Sequence, residues 1–368
     1  MQVTLTPGAI ILFSLLAQGA FAALILLFKA ENKRANRYMA LLILLLSCWL
    51  CDAFFRVGGI YEQRPDLYFL PIYLSLGFGP LIYHYTKALT RGDFIFRPQD
   101  TLHFIPVLLQ FAAYVFLQSQ DYGFRRDFWF EVHRPYTFDL ELILSFVSLL
   151  LYLLAGRRLL LRYKDRIDNN FSSVARITLS WLRSLHLLLG SLVLLWLLES
   201  CVRLFWGIYP HTPYSTISVG LTMLLMASGS ILQKDLSEVT DNLADPPDEQ
   251  QTVSAQVVEL VRAVMTEQEL FLRQELTLKE FAVAAGLPAR EVSRAINQGL
   301  GMSFLDFVNQ ARVRRFRELV VDKDFSHLSL LGLALESGFN SKSTFNRVFK
   351  KLEGCSPSEY RNKAQNAS

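Results

Sequence analysis

The chain has 368 residues, of which 52% are hydrophobic, and its mean hydropathy of +0.27 is too high for one soluble domain of ordinary composition. The net charge of +4 is small and does not by itself indicate a polyanionic partner. The four cysteines form neither a disulfide framework nor a cluster with zinc-ligand spacing, so we expect no metal and no cofactor.

Seven apolar runs in the first 233 residues have roughly the length that a helix needs to cross a bilayer. They extend from about Ala9 to Phe28, Tyr38 to Phe55, Leu67 to Thr86, Leu102 to Leu117, Phe138 to Ala155, Leu185 to Phe205 and Tyr214 to Leu232. The fourth run is the shortest and contains Pro106. The sequence therefore predicts an all-α membrane domain of seven transmembrane helices over residues 1–233.

The loops between these runs differ in basic residues, which indicates an orientation. The first, third and fifth loops are rich in Lys and Arg, for example at Lys33, Arg97 and Arg158. The sixth loop has neither residue, and the second and fourth balance Arg with acidic residues. Because basic loops stay in the cytoplasm, we expect the N-terminus outside and the C-terminus inside, and seven spans give the same result.

Ionisable residues near the outer ends of the predicted spans are candidates for sensing a ligand, because charged groups in a membrane are costly and often functional. These residues are Asp52, Arg56, Glu141, Glu199 and Arg203. Asp52 and Arg56, like Glu199 and Arg203, are four positions apart and can neutralise each other on one helix face. Two interpretations stay open: side chains that reach the membrane interface, or a polar pocket that binds a signal molecule from outside.

Residues 234–252 separate this domain from the rest of the chain. The stretch KDLSEVTDNLADPPDEQQ is acidic, contains Pro246 and Pro247, and lacks a sustained apolar face, which is typical of a linker. A flexible linker of this length would span about 25 Å. A DNA-binding domain attached to it could therefore reach a duplex only close to the membrane.

Residues 253–368 have a helical pattern with two predicted helix-turn-helix units, at about 277–299 and 329–352. Thr277 and Ser329 are predicted to cap the first helix of each unit, and Gly286 and Gly338 to form the turns. A longer helix from about Ser303 to Val320 joins the units. This arrangement is typical of domains that place the second helix of each unit in a major groove of DNA.

The second helix of each unit has an apolar and a polar face. The apolar positions of the later helix are Phe345, Val348, Phe349 and Leu352. Its polar residues, which we expect to contact DNA, are Lys342, Ser343, Asn346, Arg347 and Lys350. The corresponding residues of the earlier helix are Arg290, Ser293, Arg294 and Asn297. One such polar face could be an ordinary solvated surface, but two in tandem favour double-stranded DNA, because Arg and Asn can read bases and Lys can contact phosphates.

The segment from Ala334 to Arg361, ALESGFNSKSTFNRVFKKLEGCSPSEYR, resembles the second half of the AraC/XylS family DNA-binding domain. The residues that match the family pattern are Ala334, Gly338, Phe339, Ser343, Phe345, Arg347, Phe349, Lys350, Gly354, Pro357, Tyr360 and Arg361. The resemblance implies a monomeric module with two helix-turn-helix units that read successive major grooves. By motif position it implies base-reading roles for Arg290, Ser293 and Arg294, and for Lys342, Ser343, Asn346 and Arg347.

Two features depart from that family. Phe316 stands where the family usually has Ala, so the packing of the joining helix must differ there. Family members commonly carry a soluble ligand-binding barrel at the N-terminus, where this chain has apolar runs.

Together these patterns predict a membrane-embedded one-component regulator in the cytoplasmic membrane of a bacterium. We expect it to sense a small-molecule or membrane signal and to activate or repress transcription by binding promoter DNA. The further partners considered are the lipid bilayer, RNA polymerase and a second copy of the chain. The alternative is a transporter or channel with an attached DNA-binding reporter domain; the sequence contains no motif that predicts an enzyme.

Overall fold

The computed structural model describes residues 4–91, 94–172, 180–206, 214–233 and 254–366. Over these residues the chain is helical, and the extended pairing found there is one isolated bridge between Phe171 and Thr277. The prediction of an all-α chain is confirmed. The chain divides into an N-terminal unit, Met1–Leu161 with Leu179–Thr240, and a C-terminal unit, Arg162–Thr178 with Asp241–Ser368.

The N-terminal unit is built from long apolar helices and shorter connecting helices. They are α1 (Pro7–Phe28), α2 (Lys33–Val57), α3 (Ile60–Gln63), α4 (Phe78–Thr90), α5 (Ile105–Ser119), α6 (Tyr122–Phe128), α7 (Phe138–Asn170), α8 (Ser180–Trp206) and α9 (Tyr214–Leu232). A 3-10 helix, Pro98–Phe104, precedes α5, and a π-type segment, Trp129–Thr137, joins α6 to α7. The last residues of α7, from Arg162, belong to the C-terminal unit.

Several of these segments have the length and composition of membrane spans. Within the part of the chain that the structure describes, four segments qualify: Pro7–Phe28, Lys33–Val57, Pro98–Ser119 and Tyr122–Asn170. Two shorter apolar helices are Trp181–Leu195 and Thr216–Leu232. Large apolar side chains on α1, α5 and α7 are exposed, which would be unfavourable in water. Examples are Phe13, Phe21, Leu108, Leu109, Ile143 and Leu151.

The prediction of one span-length helix over Leu67–Thr86 is wrong, and the count of seven spans is not confirmed. Phe69 has a positive φ of 65°, Pro71 has no N–H to donate, and a regular helix begins only at Phe78. The resulting 13-residue helix α4 is about 20 Å long, shorter than the roughly 30 Å hydrocarbon core.

The C-terminal unit contains two groups of helices that share one long helix. Its helices are α10 (Ala255–Glu267), α11 (Leu278–Ala285), α12 (Ala289–Arg294), α13 (Phe304–Val321), α14 (Leu330–Glu336), α15 (Lys342–Glu353) and α16 (Pro357–Asn366). One apolar core surrounds Phe281 and Phe304, and the other surrounds Phe316 and Phe349. Because α13 contributes to both cores, it joins two helix-turn-helix units, as predicted.

Local sequence signals explain where these helices begin and turn. Thr277 Oγ1 accepts a hydrogen bond from the Glu280 backbone N–H at 3.2 Å, and the Glu280 carboxylate accepts one from the Thr277 backbone N–H at 2.7 Å. Ser329 Oγ accepts from the Gly332 N–H at 3.1 Å. The two turn glycines adopt left-handed conformations, with φ of 66° at Gly286 and 88° at Gly338. Both predicted caps and both predicted turns are confirmed.

The predicted domain boundaries, 1–233 and 253–368, stay predictions. The predicted linker, residues 234–252, lies outside the described residues. One difference is that residues 162–178 group with the C-terminal unit, which the sequence did not indicate.

Candidate nucleic-acid interface

Helix α15 has a buried and an exposed face, and its register follows the predicted pattern. Ser341 caps it by accepting a hydrogen bond from the Thr344 N–H at 3.3 Å. Phe345, Val348 and Phe349 are buried. The polar residues of the opposite face are all exposed: Lys342, Ser343, Asn346, Arg347 and Lys350. Leu352, predicted to anchor the helix, is instead 38% exposed, because the helix ends one residue later at Glu353, at the edge of the core.

The buried face of α15 is held against α13 by aromatic rings. The ring centroid of Phe316 lies 4.6 Å from that of Phe345 and 5.2 Å from that of Phe349. Phe316 is fully buried, so the residue that departs from the family pattern fills the centre of the second core. Removing such a ring leaves a cavity and costs about 3–5 kcal/mol in typical cores.

Polar contacts complete the attachment of α15. Lys351 Nζ lies 2.9 Å from Asp306 Oδ1, which links the C-terminal end of α15 to the first turn of α13. Arg317 donates to Tyr360 Oη at 3.1 Å and to Glu353 Oε1 at 3.4 Å, and the Tyr360 hydrogen bond raises the pKa of the Arg317 guanidinium. These pairs are exposed, so each contributes at most about 1 kcal/mol. These contacts therefore orient α15 against its neighbours but add little to the stability of the unit.

Helix α12 presents fewer polar side chains than predicted. Arg290 is exposed, and Arg294 and Asn297 are half-buried. Ser293, predicted to face outward, is only 5% exposed, and its Oγ accepts a hydrogen bond from Asn297 Nδ2 at 3.1 Å. The prediction of an exposed Ser293 is wrong, because Ser293 lies one position after the buried Val292 and three before the buried Ile296, at the edge of the buried face. Ser293 instead orients the Asn297 amide.

The chemistry of these exposed groups suits a DNA duplex. A guanidinium can donate two hydrogen bonds to guanine, an amide can pair with adenine, and an ammonium suits phosphate oxygens. Helix α15 carries Asn346 and Arg347. Helix α12 carries Arg290 and Arg294, and Asn297 lies in the π-type turn that follows it. The second helix of each unit therefore carries side chains of the kinds that can read bases.

Arg312, on the joining helix α13, has a structural role that the sequence motifs did not predict. It is 2% exposed, and burial lowers the pKa of its guanidinium to about 10, so the group stays charged at neutral pH. Its backbone acceptors are the carbonyl oxygens of Phe271 at 2.8 Å, Arg273 at 2.7 Å, Gln274 at 3.3 Å and Ser172 at 3.2 Å. A sequence signal did exist: Arg312 stands four residues after the buried Val308 and four before the buried Phe316.

Ser172, two residues beyond the end of α7, is part of this arrangement. Its N–H donates to the Leu276 carbonyl at 3.0 Å, and its carbonyl and hydroxyl oxygens accept from Arg312. Phe171 pairs with Thr277, the cap of α11. The segment Phe171–Ser172 is therefore built into the first helix-turn-helix unit.

The candidate ligand-sensing residues lie in hydrogen-bonded groups of the N-terminal unit. Asp52 Oδ2 lies 3.1 Å from Arg56 Nη2, and Tyr61 Oη donates to Asp52 Oδ1 at 2.6 Å. Glu141 accepts from Tyr114 Oη at 2.9 Å and also from the Gln110 amide. The predicted Asp52–Arg56 pair is confirmed. The side chains of Glu199 and Arg203 lie outside the described part of the chain.

Comparison with known proteins connects this geometry to a family. A helix-turn-helix domain model matches residues 281–363. The chain is 28% identical over 93 residues to an uncharacterized HTH-type transcriptional regulator of Staphylococcus aureus (strain N315), covering 25% of this chain and 12% of that protein. It is 30% identical over 95 residues to YkgA of Escherichia coli (strain K12), whose name describes a putative HTH-type transcriptional regulator. That alignment covers 26% of this chain and 38% of YkgA. No solved structure matches the chain.

The matched part is well under two thirds of the length of these relatives, so the similarity concerns the domain. The two capped helix-turn-helix units, the shared helix α13 and the matched residues 281–363 all fall in the same part of the chain. The C-terminal unit of this chain therefore contains an AraC-type helix-turn-helix domain, matched over residues 281–363.

Proposed function

We propose that the protein is a membrane-embedded one-component transcription regulator that binds promoter DNA through α12 and α15. The observation that carries this proposal is the exposed face of α15. Its Arg, Asn and Lys side chains, of the kinds that can read bases and bind phosphates, lie opposite the buried Phe345, Val348 and Phe349. The names of the relatives, which describe transcriptional regulators, support the same function.

The proposed DNA contacts divide by chemistry. Base-reading groups are Arg290, Arg294, Asn297, Lys342, Ser343, Asn346 and Arg347, and Lys350 contacts a phosphate. Ser293 acts through Asn297, which it holds by a hydrogen bond. Because the two recognition helices are attached to one rigid helix, α13, a single chain would read two segments of a duplex.

Replacing Arg347 by alanine is expected to weaken sequence-specific DNA binding by about 5- to 150-fold, the equivalent of 1–3 kcal/mol for one bidentate base contact. The full-length protein in nanodiscs is titrated, by fluorescence anisotropy, with a duplex that the wild-type protein selects from a random library. Arg262→Ala serves as the control, since Arg262 is exposed on α10, outside both recognition helices. Equal DNA affinities of Arg347→Ala and the wild type would contradict the proposal that α15 contacts the bases.

For the N-terminal unit we propose a multi-pass insertion in the cytoplasmic membrane, with the N-terminus outside and the C-terminal unit in the cytoplasm. The exposed apolar side chains of α1, α5 and α7 support contact with lipid. The short third segment is compatible with seven crossings, because α4 is itself largely buried by protein. Irregular backbone is tolerated at membrane depth where protein surrounds it.

This topology is tested by fusing alkaline phosphatase, which is active only outside the cytoplasm, after selected residues. We expect high activity after Gln120, between α5 and α6, and low activity after Arg91 and after Ser368. The physical reason is the excess of Lys and Arg in the loops that stay inside. High activity at the C-terminus would contradict the proposal, because the DNA-binding unit would then face away from DNA.

The signal in this proposal is a small molecule or membrane component that acts on the N-terminal unit. Asp52, Arg56 and Glu141, with Glu199 and Arg203, are the proposed contact groups. Asp52 and Glu141 already have hydrogen-bond partners. A bound polar ligand would therefore compete with Tyr61 or Tyr114, which gives it a way to change the packing of the helices.

A further inference from the structure

A cluster of two histidines and one aspartate in the N-terminal unit has no role in DNA binding. His84 lies on α4, and Asp100 and His103 lie on the 3-10 helix Pro98–Phe104. One potential ligand atom from each lies within 4.8 Å of the others, and His84 Nε2 is 3.6 Å from Asp100 Oδ1. The positions 84, 100 and 103 follow no familiar metal-binding spacing, so only the fold brings the residues together.

One ring nitrogen of the buried His84 imidazole, Nε2, lacks a hydrogen-bond partner. The residue has no exposed surface. Its Nδ1 lies 2.8 Å from the Pro80 carbonyl oxygen. A carbonyl only accepts, so Nδ1 carries the proton, and Nε2 of the neutral ring presents a lone pair toward the cluster. An unsatisfied buried acceptor of this kind is costly and calls for an explanation.

The other two residues are oriented in the way that metal ligands usually are. His103 Nδ1 lies 2.8 Å from Tyr152 Oη, and Asp100 Oδ2 accepts from the Arg97 N–H at 2.9 Å. Metal-binding histidines typically donate one ring N–H to an oxygen and use the other nitrogen as the ligand. His84 has this outer contact with the Pro80 carbonyl. When the His103 ring is the donor to Tyr152 Oη, Nε2 of both histidines is the available ligand atom.

Lys87 already holds one of the candidate ligands, the Asp100 carboxylate. Its Nζ lies 2.7 Å from Asp100 Oδ1 and 4.9 Å from the centroid of the Phe94 ring. Without a metal ion, the ammonium neutralises the carboxylate. The flexible lysine stem can move aside when a divalent ion binds, but the loss of this ion pair lowers the affinity of the site.

We propose that His84, Asp100 and His103 bind a divalent first-row transition metal ion of the Zn²⁺ type, in competition with Lys87. Two imidazole nitrogens and one carboxylate oxygen are typical ligands of such ions, and three protein ligands leave a fourth position for water or another small ligand. Because His103 is hydrogen-bonded to Tyr152 of α7, an occupied site would connect α4, the 3-10 helix and α7. The proposal does not depend on DNA binding.

The test uses full-length protein in nanodiscs after removal of metal with a chelator. Zn²⁺ is titrated in competition with a chromophoric chelator, and Co²⁺ is added separately to detect ligand binding by visible absorption. We expect one ion per chain, an at least 100-fold lower affinity for His84→Gln, and a higher affinity for Lys87→Met. His133→Gln is the matched control, because His133 is also a buried histidine of this unit but is hydrogen-bonded to Thr137, outside the cluster. The Zn²⁺ affinity of this variant should equal that of the wild type.

The Zn²⁺ titrations distinguish a metal site from an ordinary ion pair. No bound ion in the wild type, or equal affinities of the wild type and His84→Gln, would overturn the proposal and leave the cluster as an ordinary ion pair. If His84→Gln does not fold, Lys87→Met decides: unchanged or weaker Zn²⁺ binding would contradict the competition on which the proposal rests.

Discussion

Arg312→Leu is expected to destabilise the C-terminal unit by at least about 3 kcal/mol, because several buried carbonyl oxygens lose their donor at once and each unsatisfied group costs about 1–3 kcal/mol. The acceptors are the carbonyls of Phe271, Arg273, Gln274 and Ser172. Leucine restores apolar volume but supplies no hydrogen-bond donor. The loss of stability therefore comes from the polar groups that remain.

The measurement is hydrogen–deuterium exchange of the full-length protein in nanodiscs, followed at the amides of α13. Arg314→Leu is the control, because Arg314 is exposed two positions further along the same helix. We expect α13 to lose protection in Arg312→Leu and to keep it in Arg314→Leu. Arg312→Lys should fall between them, since lysine keeps the charge but cannot reach the diverging carbonyls with a planar fork. Wild-type protection in Arg312→Leu would contradict the structural role of this network.

The network also ties the end of α7 to the DNA-binding unit. Ser172 contributes two of the oxygens around Arg312 and is itself held by the Leu276 carbonyl. A fragment that begins at residue 254 lacks these contacts, so an isolated C-terminal domain is expected to be less stable than the same domain in the full chain.

Gly338→Ala is expected to have the second large effect on the C-terminal unit. Gly338 has a φ of 88°, and an added Cβ would lie 2.3 Å from the Phe271 carbonyl oxygen and 2.9 Å from Leu272 Cα. Both contacts are with backbone, which cannot rotate away as a side chain can. A left-handed conformation alone costs alanine about 1–2 kcal/mol. With the clash added, we expect at least about 4 kcal/mol and a loss of specific DNA binding.

Gly286→Ala is the matched control for this prediction. Gly286 occupies the equivalent turn of the first unit with a φ of 66°, but nothing lies within 4 Å of its added Cβ. Only the conformational cost of about 1–2 kcal/mol should remain. The two variants are compared by denaturant unfolding and by DNA titration. If both lost equal stability, the tight contact between the second turn and the Phe271–Leu272 backbone would not matter energetically.

Local signals in the sequence were enough to predict most of the C-terminal unit. The caps at Thr277 and Ser329, the turns at Gly286 and Gly338, and the buried positions Phe345, Val348 and Phe349 needed only the spacing of residues along one helix or turn. Helix caps and apolar periodicity are set by neighbours within a few positions.

The errors arose where contacts between distant residues decide the structure. The run Leu67–Thr86 is apolar throughout, yet Phe69 packs among the rings of Tyr114, Trp129 and His133, and its backbone leaves the helical conformation. Hydropathy measures length and composition only, so it cannot detect such an interruption. Ser293 is a smaller case, since it is packed beside the buried Val292 and Ile296.

The sequence by itself therefore determined the all-α class, the two helix-turn-helix units, the exposed face of α15 and the apolar character of the N-terminal helices, because each depends on residues close together in the chain. Only the tertiary structure decided which residues of distant segments meet. It gathered His84, Asp100 and His103, and it surrounded Arg312 with carbonyl oxygens from two separate stretches of the chain. Residues 16 or 140 positions apart, such as His84 and Asp100 or Ser172 and Arg312, become neighbours only when helices pack.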